Sequence, residues 1–349
     1  MEGQPLVADL DAAVERSESY VRSLAGERIF VTGGTGFVGV WLLGLLLWAD
    51  RRLNLRSRVT VLTRDPEAFA RSKPHIALDA RVECIRGDVR DFEFPPGQYA
   101  VIIHGAASSD DAWNRAHPGE AVDTIVSGTR RSLEFARQRG IRRFLLLSSG
   151  AVYGRQPEDV RRLPEDHVGA PQIAGTSEAA YGEAKRVAEV LALLACADGL
   201  EAVTARIFSC YGPYLPLSSH FAIGNFIRDA LLGKPVTVLG DGSPVRTYLY
   251  GADLAVGLLA CISRGQPGSA YNIGGEQVVT LGGLAHVVAA LAEPPVGVKV
   301  LGQALPSGAY VPDVSRARDV LGFRPAVSLE RGIKATIAWA REATDAVSA

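Results

Sequence analysis

Hydrophobic residues along the chain change their spacing several times, and each change marks a boundary. In residues 1–26, Leu6, Leu10, Val14, Val21 and Leu24 recur at helical spacing among polar residues, which predicts an appended helix packing on the main domain or on a partner subunit. Short β-branched, apolar runs follow at Arg28–Thr32, Val59–Leu62, Val82–Ile85, Val101–His104, Phe144–Leu147 and Val203–Phe208. Helix-length segments lie between them, notably Trp113–Gly140 and Ser177–Ala197. Strands that are apolar throughout, alternating with helices, indicate a parallel sheet covered on both faces. The expected fold is α/β: a Rossmann-like, doubly wound parallel sheet with a smaller C-terminal substrate-binding lobe. After Tyr211-Gly212-Pro213 the texture breaks up around Pro213, Pro216, Pro235, Gly240-Asp241-Gly242 and Pro244, as a smaller lobe requires. The division expected is 1–26 extension, 27–205 dinucleotide-binding domain, and 206–349 mainly substrate lobe, with strands from about 236–275 able to rejoin the first sheet.

Composition narrows the classes. The chain has 349 residues, 47% hydrophobic and 21% charged, with a formal net charge of −1. That balance gives no polyelectrolyte argument for nucleic acid, and no basic run suggests a membrane surface. Cys84, Cys196, Cys210 and Cys261 are widely spaced without a C-x-x-C pair, so they read as reduced, mostly buried thiols rather than metal ligands. The apolar stretch Val38–Ala49 is too short to span a bilayer. The opening residues lack a secretory hydrophobic region, so a cytoplasmic address is the expectation.

Two motifs carry chemistry. Gly33, Gly36 and Gly39 form G-x-x-G-x-x-G between a strand and a helix, with Thr35, Phe37 and Val38 between them. Glycines there let the backbone turn tightly and approach a pyrophosphate, whose charge the helix N-terminus favours. A P-loop pattern is absent. About 140 residues later, Tyr181 and Lys185 stand four apart, on one face of a helix. A neighbouring ammonium favours phenolate and would lower the tyrosine pKa toward neutrality, suiting it to proton transfer. At the end of the second strand, Thr63 stands where an acid would accept from a ribose 2′-OH, and Arg64 follows. This leans toward NADP over NAD, against the alternative that Arg64 and Asp65 form a solvated turn.

These motifs resemble the extended short-chain dehydrogenase/reductases, the nucleotide-sugar epimerases, dehydratases and reductases. The likeness runs from about Arg28 onward through Thr32–Gly39, Gly87-Asp88-Val89, His104-Gly105-Ala106-Ala107, Leu147–Gly154, Tyr181–Lys185, Arg206–Pro213, Gly240-Asp241-Gly242 with Arg246, Tyr271–Gly274 and Leu321–Pro325. The resemblance implies cofactor contacts at Asp88, Val89, Ala106 and Ala107. It also implies a hydrogen bond from Ser149 to the reacting sugar oxygen, acid/base work by Tyr181, and a ribose contact by Lys185. Arg246 would clamp the substrate diphosphate, and Ser209, where many relatives have Asn, would line the substrate side. A homodimer built on the two long helices is implied as well.

Departures from the pattern limit the reaction. Relatives that dehydrate hexoses carry Asp-Glu where this chain has Gly150 and Ala151, and sugar-acid decarboxylases place Glu at the second position. Neither glycine nor alanine transfers protons, so both activities are disfavoured. The Arg-x-Gly-Asp that helps hold the nucleotide in relatives is missing around Leu305-Pro306-Ser307-Gly308, leaving the base open. Epimerisation by hydride transfer at a hexose ring carbon, most naturally C4, stands slightly ahead of NADPH-dependent reduction of a 4-keto sugar. A non-catalytic dinucleotide sensor is the rival of another class.

Overall fold

The computed structural model describes residues 4–108, 111–172, 178–217, 221–303 and 308–348. Ser177, at the start of the expected second long helix, and Leu305-Pro306-Ser307 lie outside the described residues. The six apolar runs become strands β1 (Arg28–Thr32), β2 (Arg58–Thr63), β3 (Val82–Arg86), β4 (Val101–His104), β5 (Arg143–Ser149) and β6 (Glu201–Ile207). A seventh strand, β7 (Ala270–Ile273), completes a parallel sheet of order β7-β6-β5-β4-β1-β2-β3. Successive side chains on a strand point to opposite faces, and the packing follows that rule. Ile29, Val31, Val101, Ile103 and Leu145 enter one core, while Phe30, Ile102, Phe144 and Leu146 enter the other.

Five helices build the layers around the sheet: α1 (Gln4–Val21), α2 (Phe37–Leu53), α3 (Pro118–Arg139), α4 (Glu178–Ala197) and α5 (Gly251–Arg264). The first core lies against α1, α2 and α5, the second against α3 and α4. The single helix expected over Trp113–Gly140 is divided. A short helix, Asp111–Ala116, ends before Pro118, which opens α3 at its first turn. Proline lacks an N–H and pushes the preceding residue, His117, out of helical geometry.

α1 is an integral part of the first core. Leu6, Leu10, Ala13 and Val14 are buried, and polar bonds fix its register. Tyr250 Oη donates to Asp9 Oδ2 at 2.6 Å, Arg331 pairs with Asp9 at 2.7 Å, and Trp48 Nε1 donates to Asp11 Oδ1 at 2.8 Å. Arg16 reaches Asp253 at 2.6 Å, a buried carboxylate that also accepts from the backbone N–H groups of Ala326 and Val327.

Between β6 and the C-terminus, short strands build the roof over the sheet's carboxyl edge. Cys210–Tyr211 pairs with Leu249–Tyr250, Val236–Val238 pairs with Val298–Val300, and Val245–Thr247 lies between Val278–Thr280 and Ala309–Tyr310. No described helix is long and apolar enough to cross a membrane.

Asp9→Ala strands the Tyr250 hydroxyl in the interior without its acceptor. An unsatisfied buried donor costs about 1–3 kcal/mol, so the urea midpoint should fall accordingly. Arg331→Ala, whose side chain is 54% exposed, should move the midpoint far less, because the Tyr250 bond remains.

Candidate active site

Strand order reverses between β1 and β4, both of which neighbour the sheet centre, so a crevice opens beyond Thr32 and His104. The glycine turn fills its floor with backbone alone. Gly33 has φ +73°, and a Cβ on it would lie 2.5 Å from the Gly105 carbonyl. A Cβ on Gly39 would lie 2.5 Å from the Gly33 oxygen, so α2 sits tightly on the turn. Gly36, which caps α2, meets only the Gly33 oxygen at 3.7 Å. Its open side leaves room for a pyrophosphate at the helix N-terminus, so the residues present fit a dinucleotide.

A cavity of about 660 Å³ extends from this turn. Of the residues expected at the cofactor, Gly33, Thr35, Gly36, Arg64, Asp88, Val89, Ala106 and Ala107 line it. Phe37, Val38 and Gly39 form the first turn of α2 behind it. Asp88 holds Arg90 at 2.8 Å, and that pairing keeps its carboxyl below the usual carboxylate range. Asp65 is not a free turn residue: its carboxylate caps the helix Pro66–Ser72 by accepting from Ala68 N at 2.9 Å. Arg64 is exposed at the cavity rim. His104 is buried among the hydroxyls of Thr32, Thr129 and Ser132 at 2.9–3.1 Å. Burial pushes its pKa down to about 3, so it stays neutral and ties β4 to α3.

The second group of residues lies one strand away. Gly105 packs on Leu147, and Lys185 Nζ donates to the Leu147 carbonyl at 2.8 Å. Ser148 turns the other way to Glu189 at 2.5 Å, which in turn holds Arg206. The Ser149 hydroxyl accepts from Ala151 N at 3.1 Å and lies near the phenols of Tyr181 and Tyr310, favouring their ionised forms. Ser149, Tyr181 and Lys185 are therefore assembled at one point, α4 supplying two of them and the end of β5 the third.

The electrostatics differ from the expectation. Burial pushes the Tyr181 phenol up to about 12, only partly offset by the nearby Ser149 hydroxyl. Lys185 does not lower it: the ammonium is engaged with Leu147, 5.8 Å from the centre of the tyrosine ring, and burial pulls its own pKa down to about 8.

Tyr310 and Cys210, which the motif reading did not place here, complete the pocket. Both are held protonated by burial, the thiol pushed up to about 12. The available signal for Tyr310 was the loss of a side chain at Gly150, because a Cβ there would collide with the Tyr310 phenol. Arg246 stands opposite Tyr310 in strand register and donates to the Val245 and Gly308 carbonyls at 2.8 and 2.7 Å. Among the described residues it has no carboxylate partner. Ser209 is part-buried beside Cys210, its carbonyl accepting from Leu249 N at 2.9 Å.

With this geometry in hand, comparison with known proteins is decisive at the level of family. Residues 29–274 match the NAD dependent epimerase/dehydratase family. The chain belongs to that family. Within it, UDP-glucuronic acid decarboxylase 1 of Arabidopsis thaliana is 32% identical over 310 residues, covering 88% of this chain and 68% of the relative. Among solved structures, UDP-glucose 4-epimerase of Thermotoga maritima shares the fold with a TM-score of 0.78 at 24% identity, covering 91% of this chain and 99% of that one. The dTDP-glucose 4,6-dehydratase of Streptomyces venezuelae, solved with NAD and TYD bound, gives 0.75 at 26% identity over 90% and 97%. These are family members with different outcomes at the sugar ring.

Lys185 generates a pH prediction. Its folded pKa, about 8, lies below the ordinary 10.5, so between these values the unfolded chain binds more protons and stability rises with pH. Below pH 8 the full penalty of burying the ammonium is present. Tyr181, raised above 10, acts only at higher pH. From pH 8 to 9.5, nucleotide-free wild type should gain on the order of 1–2 kcal/mol relative to Lys185→Met, measured by urea denaturation of both at each pH.

Proposed function

We propose that this chain uses NAD to oxidise C4 of UDP-glucuronic acid and then releases the C6 carboxyl as CO2. The observation that carries the reading is the meeting of Ser149, Tyr181 and Lys185 at the end of the strand next to the glycine-turn crevice. The substrate and outcome are drawn from the decarboxylase relatives. They move the reading from epimerisation, which the sequence put slightly ahead, to decarboxylation. NAD is preferred to the NADP suggested by Arg64, in line with the family and with the NAD-bound dehydratase.

The residues fit the chemistry in order. Tyr181 takes the C4 hydroxyl proton while Ser149 donates to the same oxygen. Bound NAD supplies the hydride acceptor and a positive charge that favours the phenolate. Arg246, a part-buried fork without a carboxylate partner among the described residues, suits the substrate diphosphate. Oxidation at C4 makes the sugar a β-keto acid, so the electron pair of the C5–C6 bond can pass into the C4 carbonyl as CO2 departs. Ser149 and the now protonated Tyr181 stabilise that oxyanion. The bond cleavage itself needs no carboxylate at position 151.

A second reading, 4-epimerisation with the carboxyl retained, is favoured by Ala151 itself, since relatives that decarboxylate carry Glu there. Incubation with UDP-glucuronic acid and NAD separates the two. A UDP-pentose with CO2 supports the first, UDP-galacturonic acid without CO2 the second, and no product rejects the substrate. Tyr181→Phe should reduce turnover by ~10²–10⁴-fold with NAD still bound. Activity within about tenfold of wild type would remove Tyr181 as the main acid/base.

We also propose a homodimer through α3 and α4. Val187, Val190, Leu193 and Leu194 are 41–62% exposed along α4, an apolar stripe on the helix that carries Tyr181 and Lys185. Symmetric closed dimers bury such stripes. Val190→Glu with Leu194→Glu should give a monomer by light scattering, whereas a monomeric wild type at micromolar concentration would end the proposal.

A further inference from the structure

The position vacated at Gly150 is filled from another part of the chain. Tyr310 enters from the two-residue strand Ala309–Tyr310, and its phenol carbon Cζ comes within 2.8 Å of where a Cβ on Gly150 would stand. Its ring lies 4.6 Å from that of Phe208. The backbone beyond it is pinned, with Val311 N donating to Gln156 Oε1 and Leu163 N donating to Val311 O, both at 2.8 Å. Ser149, next in the chain to Gly150, lies near the hydroxyls of both Tyr310 and Tyr181.

We propose that Tyr310 is a second proton donor of this site, delivering the proton that C5 receives after CO2 leaves. The proposal rests on the decarboxylase reading above. Balance is complete without a further reagent. The C5–C6 bond breaks, its electron pair forms the C4–C5 enolate, and collapse of that enolate restores the C4 ketone as C5 takes the Tyr310 proton. Solvent then reprotonates the phenolate. Tyr310 is suited to donate because burial keeps it protonated, while the Arg246 guanidinium beside it favours the phenolate left behind. No carboxylic acid stands at 150 or 151 to do this work.

The test is turnover of UDP-glucuronic acid with NAD in D2O. Wild type should place one deuterium on a single face of C5, read by NMR of the axial and equatorial C5 positions of the UDP-pentose. Tyr310→Phe should still show reduced cofactor at 340 nm and release CO2. Hydride return should slow by ~10²–10⁴-fold, and the label should scatter over both faces as water replaces the lost donor. Gly150→Ala, which displaces the phenol without removing it, should scatter the label in the same way. Bound NAD and an unchanged melting temperature in both variants would show that folding is intact. If wild type releases no CO2, the decarboxylase reading and the Tyr310 role fall together. If wild type releases CO2 and Tyr310→Phe retains single-face labelling at the wild-type rate, only the Tyr310 role falls. Uniform slowing of oxidation, CO2 release and labelling would likewise assign Tyr310 to packing alone.

Discussion

Backbone-to-backbone contact at the centre of the sheet sets the positions of the other parts. Gly33 lies against Gly105, and Gly39 against Gly33 and Gly34, with no side chain between them. This lets β1, β4 and the first turn of α2 converge on one point, where strand order reverses. The crevice, the open side of Gly36 and the positions of Thr32 and His104 all follow from that convergence. A methyl group at Gly33 or Gly39 would wedge the sheet from its helix, and the residues at the mouth would lose their common origin.

Around that point the interior holds an unusual amount of polar chemistry in a dry environment. Three hydroxyls satisfy neutral His104, one carbonyl holds Lys185, and Ser149 lies near two phenols. Burial dominates these groups, raising the phenols and lowering the lysine. At neutral pH the phenols therefore stay protonated, while Lys185, at about 8, still carries its ammonium charge. Positive charge arriving with a nicotinamide would shift the phenol and lysine equilibria, coupling cofactor binding to proton availability.

Much of this was legible in the chain. Apolar runs located six strands because buried parallel strands need no polar face, and the glycine spacing located the tight turn before α2 because a side chain at Gly33 or Gly39 would collide with backbone. Tyr181 and Lys185 were visible because a four-residue spacing on a helix is a local property. What escaped is non-local or short. β7 is four residues long, so the chain showed only that strands from about 236–275 could rejoin the sheet, and its edge place comes from pairing with β6. Tyr310 comes from a two-residue strand more than a hundred residues from Ser149 and Tyr181, and nothing in the local pattern aims its side chain. The lysine was expected to lower the tyrosine pKa, but spacing on a helix says nothing of where the ammonium points.

The seventh strand has a further meaning for how such an enzyme can diversify. After β6 the chain departs to build the strands around Cys210 and Arg246, returns to the central sheet at Ala270–Ile273, and departs again toward Tyr310. The roof is thus stitched to its base rather than appended to it. It cannot be cut out and exchanged as a cassette, since any breakpoint before β7 would remove an edge strand from the sheet. Change in the pocket would therefore come residue by residue within the roof, where Tyr310 fills the space that a side chain at Gly150 would need.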